Sequence, residues 1–323
     1  MNKTEILEYL GEDWNRVGSF MKDALHSDIM LLNATNRDLL ANSGKMLRPI
    51  ITLLMARACG ESNQDSCRFA AAVELLHNAT LLHDDVADES MERRGVPTVN
   101  ALLGPQAAVL VGDFWLARAV ELALGSSLRE EEFVRLYSKT LVDLAEGEML
   151  QLEKASSADT GETDYYKIIY CKTASLFEAA CLSAALSVGA PEEYRRAASQ
   201  YAEAAGIAFQ IKDDILDYAG DAGLGKPVGI DLQEQKITLP LLGALKGAPR
   251  EGEIREMIKD IRNHPEYCAV VRDFVLESGG VEYAAAQLDR FIDKAVHALD
   301  VLPDTPARGY LADIVRYNAF RSV

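Results

Sequence analysis

Residues 81–95 read LLHDDVADESMERRG: an apolar run ends in three aspartates, and two arginines follow. On a helix entered through Ala79-Thr80-Leu81-Leu82-His83, Asp84 and Asp88 share one face. A second stretch, FQIKDDILDY at 209–218, repeats the spacing with Asp213, Asp214 and Asp217. Like charges at this spacing oppose an isolated helix by about 0.2–0.5 kcal/mol per pair. Two such clusters in otherwise apolar helices therefore argue for a compensating cation. Carboxylate oxygens suit Mg²⁺, which usually takes one or two of them and completes its octahedron with water and phosphate oxygens. A phosphorylated ligand is implied. One D-D-x-x-D alone is as often a solvated helix face; the second copy, and the basic residues beside both, favour a site.

Outward from these clusters the pattern is helical throughout. Ile6, Leu10, Trp14, Val17, Met21 and Leu25 recur at steps of three or four, and similar stripes cover roughly 47–59, 67–88, 105–124, 130–153, 164–188, 193–218, 237–246 and 280–299. No alternating strand pattern competes with them. The polar stretch 155–161 reads as a helix connection, since the same pattern resumes on both sides. The expectation is an all-α chain, one domain over residues 1–323, with less regular segments at Glu89–Thr98 and Gly220–Lys236, each following an aspartate cluster as a segment closing over a site would.

Bulk properties narrow the function. Lys and Arg number 33 against 50 Asp and Glu, and the net charge of −17 disfavours a nucleic-acid surface or electrostatic docking on anionic lipid. Five cysteines without a C-x-x-C pair fit thiols in a reducing compartment, and the cytoplasm is expected. Glu5, Glu8, Glu12 and Asp13 are unlike the basic start of a signal peptide, and no uninterrupted apolar stretch looks long enough to span a bilayer. Membrane contact is expected to be peripheral at most.

In so acidic a chain the cations that do cluster carry information: Lys45 and Arg48 in GKMLRP, Arg93-Arg94, Lys172-Thr173 and Lys226. Arginine forks and lysine ammonium groups fix phosphate oxygens, although any one of these alone is more often a surface charge. His77, two turns before Asp84, can point into the same cleft, whereas His83 should face elsewhere. Residues 220–226, GDAGLGK, have the spacing of a nucleotide phosphate loop, but Pro227 stands where Ser or Thr must follow and the preceding segment is helical.

GKMLRP (44–49), LLHDDVADESMERRG (81–95), LVGDF (110–114), AEGEMLQL (145–152), KTASLF (172–177), FQIKDDILDY (209–218) and GKPVGIDL (225–232) together resemble the trans-polyprenyl diphosphate synthases, in order and across most of the chain. The resemblance implies a bundle of long helices around a deep cavity, a homodimer, and condensation of isopentenyl diphosphate with an allylic diphosphate. By motif match Asp84, Asp88 and Asp213 would hold Mg²⁺, supported by Asp85, Asp214 and Asp217. Arg93, Lys172, Thr173, Gln210 and Lys226 would contact the allylic diphosphate, and Lys45, Arg48, His77 and Arg94 would hold isopentenyl diphosphate. Two positions depart from the family pattern: Met46, where many relatives carry a basic residue, and Gln235, where glycine is common. The mechanism implied is ionisation of the allylic diphosphate, attack by the isopentenyl double bond and proton loss, with no protein nucleophile.

Thr80 lies one turn below Asp84, about 6 Å at 1.5 Å per residue, with Ala79 beside it and Leu76 a turn deeper. None is a bulky aromatic that would plug a product tunnel, so the expected product is long, above C20 and in the range of about C30 to C50; a C15–C20 synthase is the shorter alternative. A terpene cyclase would carry an Asn/Ser/Glu motif in place of 213–217, an HD-type phosphohydrolase needs more histidine companions than five allow, and a non-catalytic subunit tends to lose its aspartates.

Overall fold

The computed structural model describes residues 3–127, 130–219 and 229–319. The N-terminal stripe forms α1 (Lys3–Leu10) and α2 (Glu12–Ala24), parted where Gly11 turns at φ 51°. There follow α3 (Met30–Ala41), α4 (Leu47–Cys59), α5 (Gln64–Ala87), a hairpin of β1 (Glu92–Arg93) and β2 (Val96–Pro97), α6 (Val99–Leu103), α7 (Pro105–Leu124), α8 (Glu130–Ser157) and α9 (Glu162–Ile169). The chain continues through α10 (Ser175–Ser187), α11 (Glu192–Ala219), α12 (Ile230–Gln233), α13 (Leu239–Leu245), α14 (Glu251–Lys259), α15 (Tyr267–Glu277), α16 (Gly280–Ala298) and α17 (Pro306–Ala319). The fold is all-α, and among the described residues the short hairpin is the one sheet.

Helix α5 runs through the middle, packed on α2, α4, α7 and α10. It begins with a capping box in which the Asn63 side chain accepts from the Asp65 and Ser66 amides while Ser66 Oγ accepts from the Asn63 amide. Its middle, from Phe69 to Leu76, is buried on every face, as a helix surrounded by others requires. Helix α11 packs on α10, α13, α16 and α17, so α10 lies between the two aspartate-bearing helices. Buried apolar side chains from Ile6 to Val315 join in one cluster.

The stripe at 164–188 is not one helix. A π-helical turn, Tyr170–Ala174, separates α9 from α10. It is held from both sides by glycines: an added Cβ at Gly147 of α8 would lie 2.7 Å from Cys171 Cβ, and at Gly206 of α11 2.6 Å from Ala174 Cα. Such turns interrupt the i→i−4 ladder and often mark functional sites. Periodicity alone does not reveal this turn, because the apolar character continues through it. Helices α3, α14, α15 and α17 were also absent from the sequence expectation. The run Glu162–Ser187 has the length and composition of a membrane-crossing segment, counter to the sequence reading, yet 72% of its most apolar window is buried inside the bundle.

Candidate active site

Helix α5 presents Asp84 and Asp85 in its last turn and Asp88 just beyond it, and α11 presents Asp213, Asp214 and Asp217. Asp84 and Asp213 line the same cavity of about 680 Å³, as do Arg48, His77, Arg93, Lys172, Thr173 and Gln210. One aspartate of each cluster thus borders the same cavity. Burial and the carboxylate of Glu148 push Asp84 up to about 6, and burial raises Asp88 as well. Excess negative charge is therefore concentrated at this end of the cavity.

Asp85, Asp214 and Asp217 are held by hydrogen bonds. Asp85 is buried and its Oδ1 accepts from Arg93 Nε at 2.8 Å. Asp214 accepts from Tyr165 OH at 2.7 Å and Gln210 Nε2 at 2.9 Å, and burial raises its pKa. Asp217 accepts the backbone amides of Ile230 at 3.1 Å and Asp231 at 3.2 Å, starting α12. Their support of the site is thus indirect: they hold an arginine, a glutamine and a helix start.

At the second polar end, α4 begins beneath Met46, which adopts a left-handed backbone (φ 55°) and packs its side chain on the core. A basic residue would not gain from that packing. Arg48 stacks 5.0 Å over Phe177, and its Nε is buried without a hydrogen-bond partner. Burial pulls its pKa down to about 10, against the attraction of Glu74. Arg94 (φ 56°) and Gly95 (φ 80°) are the two hairpin turn residues, both left-handed as a tight primed turn demands. The Arg94 guanidinium sits against Gly44, where a Cβ would collide with it, and so lies near exposed Lys45. Burial, with Arg48, Arg94 and Arg93 nearby, holds His77 well below the usual imidazole range, so the ring is neutral. His83 turns toward α7, 3.2 Å from Asp113, yet it borders the same cavity as Asp84, counter to the sequence expectation that it face elsewhere.

On the far wall, Lys172 in the π turn pairs with Glu148 at 2.5 Å and donates to Gln151 Oε1 at 2.9 Å. Thr173 Oγ1 donates to Gln210 Oε1 at 3.0 Å. An adjoining polar pocket of about 140 Å³ is bordered by Lys154, Lys172, Gln210, Asp214, Asp231 and Lys236. Burial works against the charge of Lys236, but Glu234, Asp231 and Asp88 outweigh it and raise its pKa. Glu148, Gln151, Tyr165, Asp231 and Lys236 were given no role from sequence, although AEGEMLQL contains the first two; only the fold shows what they face. Lys226 and the GDAGLGK stretch lie outside the described residues.

Below Asp84 the cavity turns apolar. Ala79 and Thr80 line it from α5, facing Leu116, Leu141, Leu144 and Leu176. Thr80 spends its hydroxyl on the His77 carbonyl at 2.8 Å. Leu76, expected one turn deeper on this wall, is 1% exposed within the core and does not line the cavity. Each four-residue step adds about 40°, so between Asp84 and Leu76 the face has drifted by about 80°, enough to carry the Leu76 side chain into the interhelical packing.

Comparison with known proteins places this geometry. Residues 30–274 match the family model described as polyprenyl synthetase. The chain is 40% identical to an all-trans-nonaprenyl-diphosphate synthase (geranyl-diphosphate specific) of Rhodobacter capsulatus, over 97% of this chain and 96% of that one. It is 39% identical to the octaprenyl diphosphate synthase of Escherichia coli, over 95% of each. A crystal structure of a polyprenyl synthase from Caulobacter crescentus, complexed with calcium and isoprenyl diphosphate, superposes with a TM-score of 0.91 at 34% identity, covering 100% of this chain and 98% of that one. With two aspartate clusters and their cations on one cavity and likeness along nearly its whole length, the chain belongs to the polyprenyl synthetase family, the trans-polyprenyl diphosphate synthases, and is a prenyltransferase.

Proposed function

We propose that this protein condenses isopentenyl diphosphate with an allylic diphosphate, repeatedly, to make an all-trans polyprenyl diphosphate longer than C20. The observation that carries the reading is the cavity itself: acidic and cationic side chains share its lining with small, aliphatic and aromatic ones. Relatives at 36–40% identity are named octaprenyl and nonaprenyl synthases, which supports the long product.

The donor set fits a divalent cation. Burial and nearby carboxylates disfavour the charges of Asp84 and Asp88, which a bound cation would offset, and among the described residues no three His, Cys, Asp or Glu side chains form a self-sufficient cage. That combination suits Mg²⁺, which leaves several positions to water and substrate phosphate. Asp84, Asp88 and Asp213 would hold it, and when bound it would supply charge neutralisation for the departing pyrophosphate. Lys172 and Arg93 bind the same diphosphate and stabilise it as the allylic C–O bond breaks. Thr173 and Gln210, locked together, border the electron-poor carbon. Arg48, Arg94 and Lys45 hold isopentenyl diphosphate beside neutral His77, so its double bond attacks that carbon; a proton then leaves, and no side chain is assigned as its acceptor. The apolar wall excludes water from the cation.

The homodimer is part of the same proposal. Leu110, Ala117 and Leu124 lie exposed on α7 at steps of seven, and Val142 and Met149 on α8 are exposed too, a seam suited to a second copy. Free cysteines fit a cytoplasmic enzyme, with membrane contact no more than peripheral.

The test is turnover by the purified protein with Mg²⁺, labelled isopentenyl diphosphate and a series of allylic primers, the products sized by chromatography. Products longer than C20 are expected, and Ala79→Tyr should shorten them. Products of C20 or less from the wild type would overturn the long-chain reading, and an unchanged length in Ala79→Tyr would overturn this tunnel path.

A further inference from the structure

Gln235, one of the two positions that depart from the family pattern, stands at a left-handed turn (φ 61°) at the end of α12. Its amide donates to the Leu232 carbonyl at 2.9 Å and the Lys236 amide to the Asp231 carbonyl at 2.8 Å, the paired bonds of a Schellman motif. Gln235 occupies the position where glycine is usual, because a Cβ is strained in this backbone region. The chain keeps glutamine, and its side chain has a use. Gln235 Nε2 donates to the carbonyls of Ile258 at 3.2 Å and Lys259 at 2.7 Å, the last two of α14, of which Ile258 also accepts the Ile261 amide at 3.4 Å.

Helix α14 also grips a second wall. Arg255 Nη1 donates to the carbonyls of Ala158 at 2.9 Å and Thr160 at 3.3 Å, in the α8–α9 connection. Thr160 and Lys236 border the same polar pocket, next to Lys172 and Asp231. One short helix, carrying none of the aspartates or cations assigned above, therefore ties down two sides of the pocket.

We propose that α14 is a bracket for the diphosphate site and that Gln235 is a positioning residue: by binding the end of α14 it fixes the left-handed turn that places Lys236 on the pocket bordered by Lys172, Gln210 and Asp214. The proposal rests on reading that pocket as part of the allylic diphosphate site. Lys236 Nζ is already paired with Glu234, with Asp231 and Asp88 as further charged neighbours, so a loosened turn lets this ion pair swing off the pocket and removes a cation from the bound diphosphate.

Two variants test it. Gln235→Glu keeps the length but sets a carboxylate against two carbonyls; Gln235→Gly removes the tether while relieving the backbone. In both, hydrogen exchange of residues 229–238 in the ligand-free protein should accelerate, most in the glutamate variant. KM for the allylic diphosphate should rise about 3–10-fold with KM for isopentenyl diphosphate unchanged, the signature of lost binding at one end of the site. Unchanged exchange in both variants overturns the bracket, whether or not the wild type turns over. Faster exchange with both KM values unmoved, or moved together, overturns the role for Lys236. Failure of the wild type to condense the two diphosphates sinks the functional reading instead, and leaves the exchange measurement to decide the tether.

Discussion

Asp84 and Asp85 are neighbours in sequence with opposite environments, and their variants should separate accordingly. Asp84 faces the cavity, its pKa pushed up to about 6, while Asp85 is buried against Arg93. Asp84→Ala should lower kcat by at least about 100-fold, the scale of removing a group that stabilises transition-state charge. Asp85→Asn should act through Arg93, raising KM for the allylic diphosphate several-fold with a smaller loss in kcat. Steady-state kinetics of the two variants would check this, and equal losses in kcat would contradict it. The spacing of 84 and 88 was readable because helix geometry converts four residues into one face. The partners of Asp85 and Asp217 were not, since they arrive from a hairpin and from α12 whose placement is set by tertiary packing. Leu76 shows the same limit: sequence distance below Asp84 does not decide which way a side chain turns.

Among the elements, long helices such as α4 and α7 were read with their observed ends, because each has an apolar stripe and a glycine just past its last residue. The π turn was invisible, yet it presents Lys172 and Thr173, and its position depends on two residues with no side chain. Gly206→Ala should force the α11 backbone away from Ala174 Cα, now 2.6 Å from where the Cβ would lie. Overpacking of this kind costs about 1–3 kcal/mol, and here it also displaces Lys172 and Thr173, so stability and kcat should fall together. Gly18→Ala is the control: it sits on the exposed face of α2 with nothing within 4 Å of the added methyl. There the helix should gain about 0.5–1 kcal/mol with activity unchanged. Thermal melts and kcat for both variants would decide, and a Gly206→Ala protein as active and stable as wild type would remove the glycine sandwich from the account.

At the scale of the whole molecule, a polar cluster that no sequence pattern announces joins the N-terminal helices to the bundle. Arg57 of α4 donates to the carbonyls of Tyr9 and Leu10 and to Asp13 Oδ2 at 2.7 Å, and Ser62 Oγ donates to the same oxygen at 2.6 Å. The Arg57 guanidinium lies 4.9 Å over the Tyr9 ring, which in turn meets Tyr310 of α17 at 5.3 Å, so both ends of the chain close on this point. Burial of Asp13 works to raise its pKa, but the bonds from Ser62 and Arg57 outweigh it and hold the carboxyl below its ordinary 3.8. A carboxyl depressed on folding binds fewer protons in the native state than in the unfolded one, so its contribution is complete above the unfolded value and is lost as pH falls through the folded value. Asp13→Asn should therefore be less stable than wild type by about 1–3 kcal/mol near pH 7, the usual worth of a hydrogen bond to a charged group. That gap should persist down to about pH 4 and close below it. Denaturant unfolding of both proteins at pH 7, 5 and 3 measures the difference directly, and because other carboxylates titrate alike in the two chains, a gap that stays constant across the series would show that the Asp13 charge does not hold the N-terminus in place.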